Sequence, residues 1–306
     1  AICRKLWTYR PGFKLMLMAA ARVLGEQARR PQPGRADVPS TADCIQTLRM
    51  AAVQDYEPTT HPAGTKPALI NTPLPSAAAA VALWRLEAPI AEEFLQNSTG
   101  EPTTLPGDYV SWHLGITGTD RAYQFGLALV PRLNAPLAER VYNDERRSAG
   151  AMLLAIAART DAQRARAAER VRSRLVGGRL GGEDNFHVRG AYRCALAMLG
   201  EADSLREVAG LLETGQFSQR RAIAALTLSG SLAGLDWLLW NPQVPADDML
   251  FLLVDEQIGD VIAACLPDAP GVDAAAGDDL AAWQLRVLRH WYAIHRAGLR
   301  PRWPPR

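Results

Sequence analysis

From about residue 144 onward, apolar positions recur every three or four residues, in segments separated by short polar or glycine-containing breaks. That spacing places the apolar side chains on one face of a helix. It predicts helices over 147–156, 162–175, 189–198, 204–212, 220–228 and 233–239. Upstream, the same reading gives 77–87 and 89–96, split at Pro89, then a Gly/Pro/Thr loop over 98–108 and a helical pair at 109–117 and 119–133. Residues 27–76 hold Pro31, Pro33, Pro39, Pro58, Pro62, Pro67, Pro73 and Pro75 with little periodicity. Proline removes a donor and disfavours helix at the residue before it. An irregular segment is expected there, with one helix near 41–56 whose Ile45, Leu48, Ala52 and Val53 share a face. Leu285, Leu288, Trp291, Tyr292, Ile294 and Leu299 predict an apolar stripe on a capping helix over 283–299.

The helical segments are also alike. The run Arg147 to Ile156 resembles Arg189 to Met198, and both resemble Arg220 to Leu228. Each is followed by a break and a second amphipathic segment. An offset of 30 aligns Leu196 with Leu226, Leu205 with Leu235 and Val208 with Leu238, and the earlier spacing is about 42, its extra residues falling in the glycine-rich 177–182. Two helices per unit at this period are the mark of an α-solenoid. The Arg-x-x-Ala, Ala-Leu, Leu-Gly cadence of Val188 to Gly200, repeated over 221–230, resembles the HEAT-like repeat family. The resemblance is strongest to the short variety shared with phycobilin lyases and many bacterial scaffold proteins. It covers 144–240 well, 76–140 weakly and the first 75 residues not at all. It implies an all-α chain with about five or six helix pairs. Three regions follow: an irregular Pro-rich segment at 1–75, the repeat region at 76–282, and a capping helix with a basic tail at 283–306.

Composition narrows the classes. The chain has 306 residues, 48% of them hydrophobic, and a net charge of +2. Such a chain can bury a full core without disulfide or metal staples. It is too apolar for general disorder and too balanced in charge for a protein that coats polyanions throughout. Only Lys5, Lys14 and Lys66 are lysine among 34 basic residues, so arginine dominates; with the abundant Ala, Gly and Pro this points to GC-rich coding and a bacterial source. Cys3, Cys44, Cys194 and Cys265 are widely spaced and form no CxxC pair. They read as reduced thiols in a cytoplasmic protein, with Cys194 and Cys265 as small buried apolar residues. Asn97-Ser98-Thr99 fits a glycosylation sequon of the kind that arises by chance. No apolar run approaches the length of a membrane span. Leu15 to Ala21, flanked by Arg4, Lys5, Arg10, Lys14 and Arg22, faintly imitates a signal peptide or the flank of a span removed upstream, but reads more simply as an amphipathic helix.

No catalytic constellation stands out. The histidines are His61, His113, His187, His290 and His295; the last two, five apart, fall on different helix faces, and no His-Glu dipeptide exists to support the di-iron chemistry of HEAT-like hydroxylases. No Gly-x-Ser-x-Gly elbow is present, and 177–182 lacks the Lys-Ser/Thr ending of a phosphate loop. Glu92-Glu93, Asp247-Asp248 and Asp278-Asp279 are adjacent pairs that suit helix caps or solvent. No metal and no cofactor are expected.

Charge is distributed unevenly. Residues 139–193 hold 12 Arg against 7 acids, 242–282 hold 9 acids and no basic residue, and 283–306 hold six Arg and no acid. The resemblance and this pattern together suggest a non-catalytic scaffold or adaptor with a concave, arginine-lined surface for another, acidic protein. The candidate contact residues are Arg147, Arg189, Arg193, Arg220 and Arg221 at the repeat starts, Trp84 and Trp112 as aromatic anchors, and Arg300, Arg302 and Trp303 in the tail. The tail's simplest role is to neutralise the acidic 242–282 segment. Nucleic acid is the alternative partner, since arginine and tryptophan together contact phosphates and stack on bases. HEAT-like DNA glycosylases use such a surface, but their catalytic residues find no matching positions here. A phycobilin-lyase-like enzyme is a third reading.

Overall fold

The computed structural model describes residues 11–30, 39–53, 74–86, 107–117, 119–130, 144–176, 186–215, 217–254, 258–272, 278–301 and 303. Among them are fourteen α-helices and no strand, so the described part of the chain is all-α, as its periodicity predicts. The expectations for Cys3, His61, 89–96, 177–182, Asn97 and Arg302 lie outside the described residues. Contacts divide the chain into two compact units, Ala1–Leu114 and Gly115–Arg306.

The first unit contains α1 (Pro11–Arg29), α2 (Thr41–Val53), α3 (Leu74–Arg85) and the first part of α4 (Gly107–Thr117). Helix α3, expected to open the repeat region, lies at the centre of this unit, with α1 and α2 packed against it and against each other. Its sequence explains the position: residues 78–84 are Ala, Ala, Ala, Val, Ala, Leu and Trp, all buried, and a helix that is apolar all round must be covered all round. Small residues let the backbones approach. A Cβ on Gly25 of α1 would stand 3.0 Å from the Cβ of Ala82. At the start of α2, the Ser40 hydroxyl accepts from the Asp43 N–H while the Ser40 N–H donates to the Asp43 carboxylate, each at 3.2 Å. This reciprocal cap also holds the Asp43 carboxyl below its usual pKa, chiefly through the bond from the Ser40 side chain.

The second unit contains α5 (Asp120–Leu129), α6 (Asp144–Ala157), α7 (Asp161–Val176), α8 (Phe186–Met198), α9 (Ala202–Thr214), α10 (Gln219–Leu228), α11 (Ala233–Trp240), α12 (Ala246–Val254), α13 (Ile258–Cys265) and α14 (Asp278–His295), followed by the 3-10 turn η1 (Arg296–Gly298). Helix α6 packs on α5 and α8, α8 on α10, and α10 on α13, while α7, α9 and α11 flank this row. The row supplies the core: residues 151–157 of α6, 194–198 of α8 and 222–228 of α10 are buried. Glycines set the closest approaches. A Cβ on Gly126 of α5 would meet the Leu154 backbone of α6 at 2.9 Å, and one on Gly150 would meet Leu129 at 2.5 Å, so α5 and α6 run in opposite directions.

The offset of 30 seen in the sequence reappears in the turns. After α8, Glu201 N–H donates to Leu196 O and Gly200 N–H to Ala197 O; after α10, Ser231 N–H donates to Leu226 O and Gly230 N–H to Thr227 O. Both are Schellman endings. They require a left-handed residue, and Gly200 and Gly230 supply it at φ 100° and 88°.

Helix α14 differs in part from its predicted stripe. Leu285, Leu288 and Tyr292 are buried, but Ile294 is 62% exposed. Nine residues separate Ile294 from Leu285, and at 100° per residue that turns it to the opposite face. Trp237 is half-buried beside the fully buried Leu235 and Leu238. Trp240 stands at the end of α11, as its Asn-Pro neighbour predicts.

Candidate functional site

A helix start carries partial positive charge and favours an acid in its first turn. The second unit follows this rule at Asp120 in α5, Asp161 in α7, Asp203 in α9, Asp236 in α11, Asp247 and Asp248 in α12, and Asp260 in α13. Two described helices of the second unit break it. Neither α8 nor α10 has an acid in its first turn; Arg189 stands there in α8, and Arg220 and Arg221 in α10. The two starts are neighbours, because a Cβ on Gly190 would fall 2.3 Å from the ring of Phe217, two residues ahead of α10. The result is a local cluster of cations at helix ends that already repel them.

The predicted contact residues divide on burial. Arg189 is exposed, and it has no hydrogen bond or ion pair among the described residues. Arg193 is half-buried and bonded to Glu207 at 2.7 Å. Arg220 is half-buried, and Arg221 is 5% exposed, its N–H capped by Ser218. Arg147 is half-buried, with its Nε out of solvent. Trp84 and Trp112 are 3% and 1% exposed, so they are core residues of the first unit and leave no surface for a partner to touch.

The tail is engaged within the second unit. Trp303 donates from Nε1 to Ile156 O at 3.3 Å, and the Arg159 guanidinium lies over its ring at 4.4 Å. Arg159 also donates to Gly115 O at 3.1 Å and Ile116 O at 2.8 Å, closing the end of α4. Burial lowers the Arg159 pKa. The buried Pro301 runs beside Gly230, where a Cβ would approach its carbonyl at 3.3 Å. Arg300 donates to Ala297 O and Leu299 O of its own turn. Sequence reasoning missed Arg159 because nothing local marks it.

Nor does the basic C-terminal segment pair with 242–282 among the described contacts. Arg296 forms a two-point ion pair with Asp236, at 2.6 and 2.7 Å, and Tyr292 donates to the same carboxylate at 2.9 Å. Burial pushes the Asp236 pKa up, but the bonds from Arg296 and Tyr292 outweigh it and leave the carboxyl below its usual range. The same balance holds at Glu201, where burial is outweighed by Ser204, Arg172 and Arg193. Arg296 also lies over Trp240 at 4.9 Å, and Trp240 meets Tyr292 edge-on.

The first unit has a small basic cleft between α1 and α3. Arg22, Arg29 and Arg85 line it with Glu26 and the buried His113, around a cavity of about 20 Å³, room for a single water. Arg29 is held by Glu26 at 3.2 Å. Among the described residues no group of three His, Cys, Asp or Glu side chains is placed to hold a metal ion, and no helix is long and apolar enough to cross a membrane. The chain matches no family model, no curated protein and no solved structure.

Proposed function

We propose that the second unit is a short HEAT-like helix-pair array serving as an interaction scaffold or adaptor, and that it holds an acidic protein segment along the starts of α8 and α10. The reading rests on one observation. Arginines occupy the first turns of two adjacent helices, where the backbone dipole opposes them, and the exposed Arg189 has no partner among the described residues. A cation kept at such a place against its local energetics is best explained by an anionic surface brought from outside. The recurrent turns after α8 and α10 support the repeat architecture, in which nearest-neighbour packing leaves a long surface for binding. The buried free thiols of Cys44, Cys194 and Cys265 suit a reducing, cytoplasmic setting. Burial pushes the Cys265 pKa up to about 12, which leaves it unreactive at neutral pH.

The test is purification of the tagged full chain from its native cell, with and without nuclease, at low and high salt, beside an R189E/R220E variant. A stoichiometric acidic protein retained by the natural chain and lost from the variant supports the scaffold. Retention of nucleic acid alone, without nuclease and at low salt only, overturns it in favour of polyanion binding.

A further inference from the structure

Helix α7 carries five arginines between positions 164 and 174, and its register separates one from its neighbours. Arg164 donates to Met198 O at 2.9 Å, Arg170 to Val130 O at 3.3 Å, and Arg172 to Glu201 at 3.0 Å. Arg174 is the most buried member, at 3% exposure, and its Nε and Nη1 are out of solvent without any acceptor. It follows Ala167 and Val171 on the buried face. A guanidinium is always charged, and burying it unpaired is among the most unfavourable arrangements a core can hold. Such an orphan demands an explanation.

Its place in the fold supplies one. Tyr123 donates to Gln163 O and Arg170 to Val130 O, so α7 runs alongside α5 in the same direction. The Gly126–Leu154 and Gly150–Leu129 approaches set α6 alongside α5 in the opposite direction. The last turn of α7, with Arg174, therefore comes to the end of the bundle where α6 begins. Arg147, in the first turns of α6, also has its Nε removed from solvent there. Two arginines with shielded donors thus stand at the same end of one helix pair.

We propose that Arg174 anchors a binding site for a phosphate-class oxyanion at this end of α6 and α7. The planar fork of donors matches two oxygens of a phosphate at once, and a low-dielectric surrounding strengthens that charge-assisted contact. Arg147 adds a second positive charge at the same end, which favours a doubly charged phosphate over a carboxylate. The site stands independently of the scaffold reading, because it rests on a buried group rather than on the exposed starts of α8 and α10.

The experiment is thermal unfolding of the full chain at constant ionic strength, with inorganic phosphate titrated against chloride, in the natural protein and in R174M and R174K variants. The expected result is a saturable rise in Tm for the natural protein, absent in R174M and at least about ten-fold weaker in apparent affinity in R174K, which keeps the charge but loses the fork. Without phosphate, R174M should be as stable as the natural protein or more so, because an apolar chain replaces an unpaired buried charge. A parallel titration with O-phosphoserine separates the sources: a larger response than to inorganic phosphate supports a phosphorylated chain as the natural ligand, a smaller one the free ion. A natural protein that responds to neither overturns the site. So does an R174M variant that keeps the phosphate response, or one that is strongly destabilised in phosphate-free buffer.

Discussion

The two ends of the helices in the second unit treat arginine in opposite ways. At helix C-termini, cationic side chains meet the carbonyls left over by the last turn: Arg159 at Gly115 and Ile116, Arg164 at Met198, Arg170 at Val130 and Arg289 at Leu239. Charge, dipole and hydrogen bonding agree there. At the starts of α8 and α10 arginines occupy the end that the dipole makes unfavourable, and Arg189 has nothing to bond among the described residues. One residue type therefore does two kinds of work in one unit. Arginine content does not separate them; position relative to the helix end does.

The contrast can be broken from either side. Removing Arg159 should have the largest effect, since Arg159→Ala frees two carbonyls at the end of α4 and leaves Trp303 without its cation; a loss of about 2–3 kcal/mol is expected, read as a shift in the denaturant midpoint. Trp303→Ala keeps the Arg159 bonds to α4 but removes the indole bond to Ile156, and should lose about 1–2 kcal/mol in the same assay.

Asp236 is the acid-led counterpart at the start of α11. Its carboxyl is held below the usual range, so its stabilisation is fully present above the unfolded value near pH 4 and disappears as pH falls through the folded one. Asp236→Asn should cost no more than about 1 kcal/mol at neutral pH, because the pair is partly exposed, and should flatten the loss of stability between about pH 4 and 2. A variant with the natural protein's acid profile would show that other carboxylates control it. The smallest effect has the opposite sign: Arg189→Glu should raise stability by about 0.3–1 kcal/mol, since it restores the acid that other helix starts carry. A clear loss there would mean that Arg189 supports the fold, and would remove the main support for the proposed contact surface.

Much of the helical layout was legible because it is written locally. The apolar period marked the helices from 144 to 240 within a few residues, and the alignment of Leu196 with Leu226 foreshadowed two identical turns closed by Gly200 and Gly230. Grouping was harder to read. Helix α3 has an almost featureless alanine surface, and nothing in its own residues says that α1 and α2 will enclose it. The side chains of the site were read unevenly for a similar reason. Arg189 is conspicuous from its position in a repeat, whereas Arg159 and Arg174 acquire their meaning from groups or burial supplied by distant parts of the chain. Trp84 and Trp112 show the converse: an aromatic residue signals an anchor, but only packing decides whether the anchor points inward.

The bond between Trp303 and Ile156 joins residues 147 positions apart. A tail passing Gly230 and reaching back to α6 ties late helices of the second unit to an early one, so that separating them requires the tail to detach. It also introduces a delay during synthesis. At about 5–20 residues per second, α6 leaves the ribosome roughly 7–30 s before the indole that will bond it exists. For that interval the Ile156 carbonyl and the Arg159 guanidinium lack this contact, and the growing chain is open to association with whatever else can supply it.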